Sequence, residues 1–394
     1  MKEQRITIVT SDLLGYVRNG GAGTATTFLA VGLARMGHRV EALYSGPAPT
    51  VAIDPEWAQL YGRGIAVRLP PPCDERVEPE LFARMRTVEH ALAADPPDVV
   101  IAQDFAAPAY TALWQRHAGL AFERTLFVVL CHGTRRWAKE VSRNVRVSPE
   151  VLKESVLERA SVEHADIIVG PSAYVVEWMR GHGWRLPERT LVIPYLTRSG
   201  ASGERPPESA QVDSHRRVER LAFFGRLEER KGLRPFAAAL NALDPRLLDG
   251  IELEFLGKPT KHWSPDRVKA LLSKKAKRAL RSVTFKTELD QHEALARLGR
   301  PGTLAVMPSL GETLGNTVLE CLEHGIPFIA TNAGGVPELV TPEDRHRVLF
   351  EPTPEGVESA LRRARSIPRY RSDTAANQTK QIRYSAAQSL QRVF

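Results

Sequence analysis

Short, almost wholly apolar, β-branched segments recur between helix-length stretches, and the series runs twice. The first run holds RITIVT (5–10), DVVIAQD (98–104), TLFVVLCH (125–132), ADIIVGPS (165–172) and TLVIPY (190–195). Near its start SDLLGYVRNGGAGT reads as a loop, and ATTFLAVGLARMGHRVEALY as helix, turn at Gly37, then strand. Strands without polar alternation cannot leave one face in water, so they imply a parallel sheet covered by helices on both sides. Thr197 to Arg217 is rich in Gly, Pro, Ser and charge and reads as a linker. The series then restarts with RLAFFGR (220–226), IELEFLGK (251–258), SVTFKTE (282–288), GTLAVMPS (302–309), PFIAT (327–331) and RVLFE (347–351). The expected fold is α/β, with two Rossmann-like units at 1–197 and 218–375 and a linker at 198–217. A polar C-terminal helix over 376–394 is expected to return to the first unit. Such sheets bind ligands beyond the C-terminal ends of their strands. Two facing units with a ligand cleft between them, closing about the linker, are therefore expected. Architecture alone leaves function open.

The 394 residues suit two domains, with 43% apolar and 25% charged residues, and no apolar run long enough to span a bilayer. MKEQRITIVTSD runs directly into a strand, without a signal-peptide pattern, which places the chain in the cytoplasm by expectation. Cys73, Cys131 and Cys321 are far apart and in no metal-like spacing, and read as reduced thiols. The net charge is +8, a balance compatible with nucleic acid, anionic lipid or phosphate-bearing small molecules. No nucleic-acid module is present, so a nucleic-acid partner is not expected. The densest basic run, Lys258 to Ser282, reads as a helix over 265–281 with bases on most sides. It is first a solvated face and second a docking patch for an acceptor or for the inner face of an anionic membrane.

Four features carry chemistry. In VMPSLGETLGNTVLECLEHG a helix starts at Gly315 or Asn316 and stops at His324-Gly325, with Val318, Leu319 and Leu322 on its core arc. Its first amides, around Leu314, Gly315, Asn316 and Thr317, form an anion site through free N–H groups and the dipole. Glu312 precedes that terminus and Glu320 lies two turns in, so a ligand along the helix can meet a carboxylate at each end. Taken alone, two solvated glutamates explain the pattern as well. FFGRLEERKGL places Arg226 and Lys231 after a buried strand, where each can oppose a diphosphate with charge-assisted bonds of about 1.5–3 kcal/mol. NGGAGT, with Gly21 and Ala22, nearly matches a dinucleotide turn, but Thr26 replaces the third glycine and no acid ends the next strand, which disfavours NAD. His132 and Asp104 both end strands on the ligand side of the first unit.

Together, GGAG, CHG, ADIIVGPS, GRLEERKG, MPSLGETLGNTVLECLEHGIPFIAT and NAGGVPELV resemble, in order and spacing, the retaining GT-B glycosyltransferases of family 4 (glycosyl transferases group 1). The resemblance covers nearly the whole chain and is strongest from Phe223 to Val340. It implies a nucleotide-sugar donor whose diphosphate is held by Arg226, Lys231 and the amides at Leu314 to Thr317. It implies donor-sugar contact by Glu312, ribose contact by Glu320, His132 beside the anomeric carbon, and the loop bearing Gly21 and Ala22 near phosphates or acceptor. It implies no cofactor beyond the nucleotide sugar, and no metal, consistent with the lack of an Asp-x-Asp pair at a strand end. The acceptor would be a sugar, a lipid-linked glycan or a small molecule. Two departures stand out: IPYLTR replaces an Asn-Gly turn, and VTFKTE lacks the frequent Gly after Phe. Competing readings are a non-hydrolysing nucleotide-sugar epimerase, an NAD-dependent oxidoreductase and a non-catalytic sugar-nucleotide-binding protein.

Overall fold

The computed structural model describes residues 2–16, 20–46, 64–70, 80–144, 146–198, 201 and 218–366. They form two compact units, one on each side of the expected linker. Asn19, Cys73, most of the linker and the C-terminal helix expected over 376–394 lie outside the described residues.

The first unit is a parallel sheet of β1 (Arg5–Thr10), β2 (Arg39–Tyr44), β3 (Ile65–Arg68), β4 (Val99–Gln103), β5 (Leu126–Leu130), β6 (Ile167–Gly170) and β7 (Arg189–Val192). Their order is β3-β2-β1-β4-β5-β6-β7, so the winding reverses between β1 and β4. The second is a parallel sheet of β8 (Arg220–Phe224), β9 (Glu252–Leu256), β10 (Ser282–Lys286), β11 (Thr303–Met307), β12 (Phe328–Thr331) and β13 (Leu349–Phe350), in the order β10-β9-β8-β11-β12-β13. Its reversal falls between β8 and β11. Both sheets bury their central strands on both faces, which is why those strands carry no polar alternation. In the second core Phe223, Phe236 and Phe255 meet with ring centroids 5.4–6.1 Å apart.

The structure corrects several expectations. Most strands end one to three residues earlier than their apolar runs suggest, whereas RITIVT and PFIAT end where expected; at two of the early ends the next residues turn their polar groups elsewhere. Asp104 leaves β4 to accept from the amides of Phe105, His132 and Gly133. Ser172 leaves β6 to cap the helix Ala173–Gly181. The segment expected as a loop up to Thr24 is already helical from Gly21, so Gly21 and Ala22 lie in the first turn of the helix Gly21–Arg35. The single basic helix expected over 265–281 is two short helices, Pro265–Ala270 and Lys274–Ala279, because Ser273 caps the second. Val268, Leu272, Ala276 and Leu280 anchor them on the core, and Arg267, Lys269, Lys274, Lys275 and Arg278 point to solvent. Cys131 and Cys321 are buried and not bonded to one another. No helix among the described residues is long and apolar enough to cross a membrane.

Candidate functional site

In the second unit β8 leads through Gly225 into a 3₁₀ turn, Glu229–Lys231, and then the helix Leu233–Ala242. Gly232 joins them at φ 77°, where a Cβ would lie 1.7 Å from the Pro308 carbonyl just past β11. Only glycine lets this turn press against the end of β11. The Leu310 amide donates to the Arg230 carbonyl at 2.7 Å and fastens the two loops together. Lys231 Nζ then donates to Glu312 Oε1 at 2.6 Å, and the Arg230 guanidinium to Glu312 Oε2 at 2.8 Å. Arg230 also reaches Glu228 at 2.9 Å and the Gly311 carbonyl at 3.3 Å. From the far side the Gly335 amide donates to the Glu312 carbonyl at 2.9 Å. Gly334, at φ 67°, has no Cβ to strike that same oxygen 2.1 Å away. Burial by itself would raise the Glu312 carboxyl, but Arg230 and Lys231 outweigh it and hold the group down to about 2. Burial in turn lowers the Lys231 ammonium despite Glu312.

The helix Asn316–His324 starts and stops where the sequence predicts, with Gly315 before it and left-handed Gly325 after it. Val318, Leu319, Cys321 and Leu322 are buried. No side chain caps its N-terminus, which opens beyond the end of β11 next to buried Leu314, with Asn316 and Thr317 half-buried. Glu320 is half-buried and accepts from Gln291 Nε2 at 2.6 Å. Burial pushes its carboxyl up to about 7, against that hydrogen bond. The two glutamates therefore sit in opposite regimes, Glu312 ionised throughout and Glu320 exchanging its proton near neutrality. Arg226 is not drawn into this cluster: its side chain is 55% exposed and pairs with Glu228 at 3.2 Å. Arg230 and Gln291 are the polar partners that sequence reasoning missed. Nothing local in LEERKG tells Arg230 from Arg226 until the turn at Gly232 is known.

In the first unit two buried carboxylates organise the loops after β4 and β5. Asp104 accepts from the amides of His132 at 2.9 Å and Gly133 at 3.1 Å, and burial lifts it to about 6 against those bonds. Glu158, on the helix Pro149–His164, accepts from the amides of Ala106 at 3.0 Å and Arg135 at 2.8 Å. Burial lifts it to about 8. Its bond holds Ala106, which with Ala107 adopts a left-handed conformation costly for alanine. His132 Nδ1 shares a hydrogen bond of 2.9 Å with the Tyr195 hydroxyl, and burial lowers the imidazole to about 4, so the ring is neutral. Tyr195 comes from IPYLTR, the stretch where the resemblance departs from an Asn-Gly turn. A cavity of about 40 Å³ lies beside this pair, lined by Ala25, Leu29, Ile101 and Val169 among others. Gly21 and Ala22 supply the first helical turn after β1, on the ligand side of the same sheet.

A model of glycosyl transferase 4-like domains matches residues 20–195, and one of glycosyl transferases group 1 matches residues 218–366. Over 146 residues, 37% of this chain, the sequence is 34% identical to glycogen synthase of Mycobacterium tuberculosis, of which the match spans 33%. The matches span less than half the length of the curated relatives. The fold is similar to that of a sucrose-phosphate synthase from Thermosynechococcus elongatus, with TM-score 0.72 and 17% identity over 99% of this chain and 98% of that one. It is also similar to Anabaena HepE solved with UDP and glucose, with TM-score 0.65 and 18% identity over 99% of each chain. With one family model on each of its units and this fold throughout, the chain belongs to the group 1 glycosyltransferases of GT-B architecture.

Proposed function

We propose that this protein moves a sugar from a nucleoside diphosphate donor to an acceptor hydroxyl, with retention of the anomeric configuration. The observation that carries the reading is the Lys231–Glu312 pair of 2.6 Å beyond the ends of β8 and β11, where the strand order reverses. The donor diphosphate takes Lys231 and the amides from Leu314 to Thr317, and exposed Arg226 turns onto it. Glu312, released by Lys231 but still held by Arg230, accepts from hydroxyls of the donor sugar. Glu320 and Gln291 take the ribose. Stabilisation of the departing diphosphate by these cations and amides is the main catalytic contribution, and turnover is expected to need no divalent metal. Glu312, committed to hydroxyls and to Arg230, is a poor in-line nucleophile, so departure and attack on one face of the sugar account for retention. Neutral His132, in the first unit, serves in this reading to orient the acceptor. HepE, solved with UDP and glucose, supports a nucleotide-hexose donor.

The test is incubation with radiolabelled UDP-, GDP- and ADP-sugars, scoring donor hydrolysis and then transfer. Absence of both hydrolysis and calorimetric nucleotide binding overturns the reading. A product of inverted configuration, or activity lost to EDTA and restored by Mn²⁺, overturns the stereochemical or the metal statement alone.

A further inference from the structure

Val147, Leu152 and Val156 are 58%, 58% and 64% exposed. Single exposed aliphatics are ordinary on a soluble surface. Here three fall within ten residues, across the start of the helix Pro149–His164, whose outward turns would normally be polar. Exposed Arg143, Arg146 and Lys153 lie in the same stretch of chain, where the Glu150 carboxyl is lowered by its bond from Ser148 and then by nearby Lys153. The nearby acids are engaged too: Glu154 pairs with Arg135 at 2.5 Å, Glu140 lies 2.9 Å from His182, and exposed Glu150 is held by Ser148 and Lys153, which leaves Arg143 and Arg146 as the excess charge.

Cations in the same exposed stretch as aliphatic side chains match an anionic lipid surface, whose phosphates lie above an apolar layer. A polyanion without that layer gains nothing from Leu152 or Val156. The segment from Lys258 to Ser282 makes the contrast. It holds nine Lys and Arg against one Asp, but none of the large exposed hydrophobics. The aliphatic surface is also rigidly tied to His132. Glu158, two residues beyond Val156, grips the Arg135 amide of the loop that carries His132, and Leu152 is about 9 Å along the same helix axis.

We infer that the face formed by Val147, Leu152 and Val156 with Arg143, Arg146 and Lys153 docks on an anionic bilayer and presents an acceptor borne on a lipid headgroup to His132. The acceptor clause rests on the proposed glycosyl transfer; the docking does not. The test is co-sedimentation of the full chain with vesicles of phosphatidylcholine alone and of phosphatidylcholine with phosphatidylglycerol. Binding is expected only to the anionic vesicles, weakening as salt rises. Leu152→Ser with Val156→Ser is expected to lower the partition at least about tenfold, with the circular dichroism spectrum unchanged, and Arg143→Glu with Arg146→Glu to do the same. Equal binding to both vesicles, no binding, or loss only on changing Lys274, Lys275 and Arg278 to Glu overturns the inference. So does a dimer dissolved by the aliphatic pair of changes, which would make a second copy the occupant. Calorimetry with UDP, GDP and ADP on the same proteins without vesicles keeps the two readings apart. Vesicle binding without nucleotide binding sinks the functional proposal and leaves the docking intact.

Discussion

Replacing Arg230 by Gln removes one of the two cations that the second unit buries against Glu312. The Arg230 side chain is 14% exposed, Glu312 11% and Glu228 20%, so both carboxylates lose a well-desolvated partner. Taking one member from a buried pair costs about 3–5 kcal/mol. Lys231 remains on Glu312 at 2.6 Å, which brings the expected loss to or below the lower end, about 2–3 kcal/mol. For a unit of this size that lowers Tm by roughly 5–10 °C. The pH dependence gives a second reading. Glu312 is depressed in the fold, so its stabilisation is complete above its unfolded value of about 4.5 and is lost as pH falls toward about 2. The Arg230 charge is the first of the influences that oppose burial, ahead of the charge and hydrogen bond of Lys231, so Arg230→Gln should raise the Glu312 value and shrink that acid-side loss. Scanning calorimetry between acid and neutral pH on Arg230→Gln, Glu312→Gln and the double variant closes the cycle. A coupling of about 1–3 kcal/mol is expected. Additive single effects, or an unchanged acid limb in Arg230→Gln, would refute the account of how Glu312 is kept ionised.

Arg226→Ala and Lys231→Ala should each weaken nucleotide binding strongly by calorimetry; unchanged affinity for UDP, GDP and ADP in both would remove them from the diphosphate. Glu312→Gln should lower kcat more than donor affinity, and Glu320→Gln should mainly raise donor KM, the reverse pattern in steady-state kinetics exchanging their roles. Since Glu320 titrates near 7, wild-type donor KM should fall as pH rises through neutrality, and that slope should vanish in Glu320→Gln. Glu158 is raised in the fold to about 8, so its contribution is full below about 4.5 and lost as pH climbs to about 8. The thermal stability of the first unit should therefore fall from pH 5 to 8, and a flat Tm profile there would contradict the burial of a neutral carboxyl.

Where residues report on their own neighbourhood, the chain could be read directly. The central strands announce themselves as apolar runs, and the helix Asn316–His324 by its Val318, Leu319 and Leu322 spacing and its Gly325 stop. Strand β3 does not, because IAVR lies at the sheet edge and one of its four residues is Arg68, paired with Glu41 at 2.9 Å. The site divides in the same way. Glu312, Glu320 and Lys231 lie in recognisable spacings. Arg230, Gln291, Tyr195 and Glu158 take their places from contacts between distant segments, such as Gly232 on Pro308 or Glu158 across two loops. No local pattern encodes those contacts, so Arg226 and Arg230 could not be ranked until the turn between β8 and its helix was seen.

The close approach of Gly232 to Pro308, with Arg230 and Leu310 fastened backbone to backbone, has a kinetic consequence. The loops after β8 and β11 cannot part without breaking that seam, so Lys231 can leave Glu312 only by rotating its own side chain. Rotating one side chain out of a buried ion pair disturbs fewer groups than opening the fastened loops, and is the faster of the two motions. On the proposed function, diphosphate capture by this unit then requires encounter and the rotation of one side chain, with no loop opening. A slow phase in the proposed nucleotide binding is then expected to originate in another part of the chain.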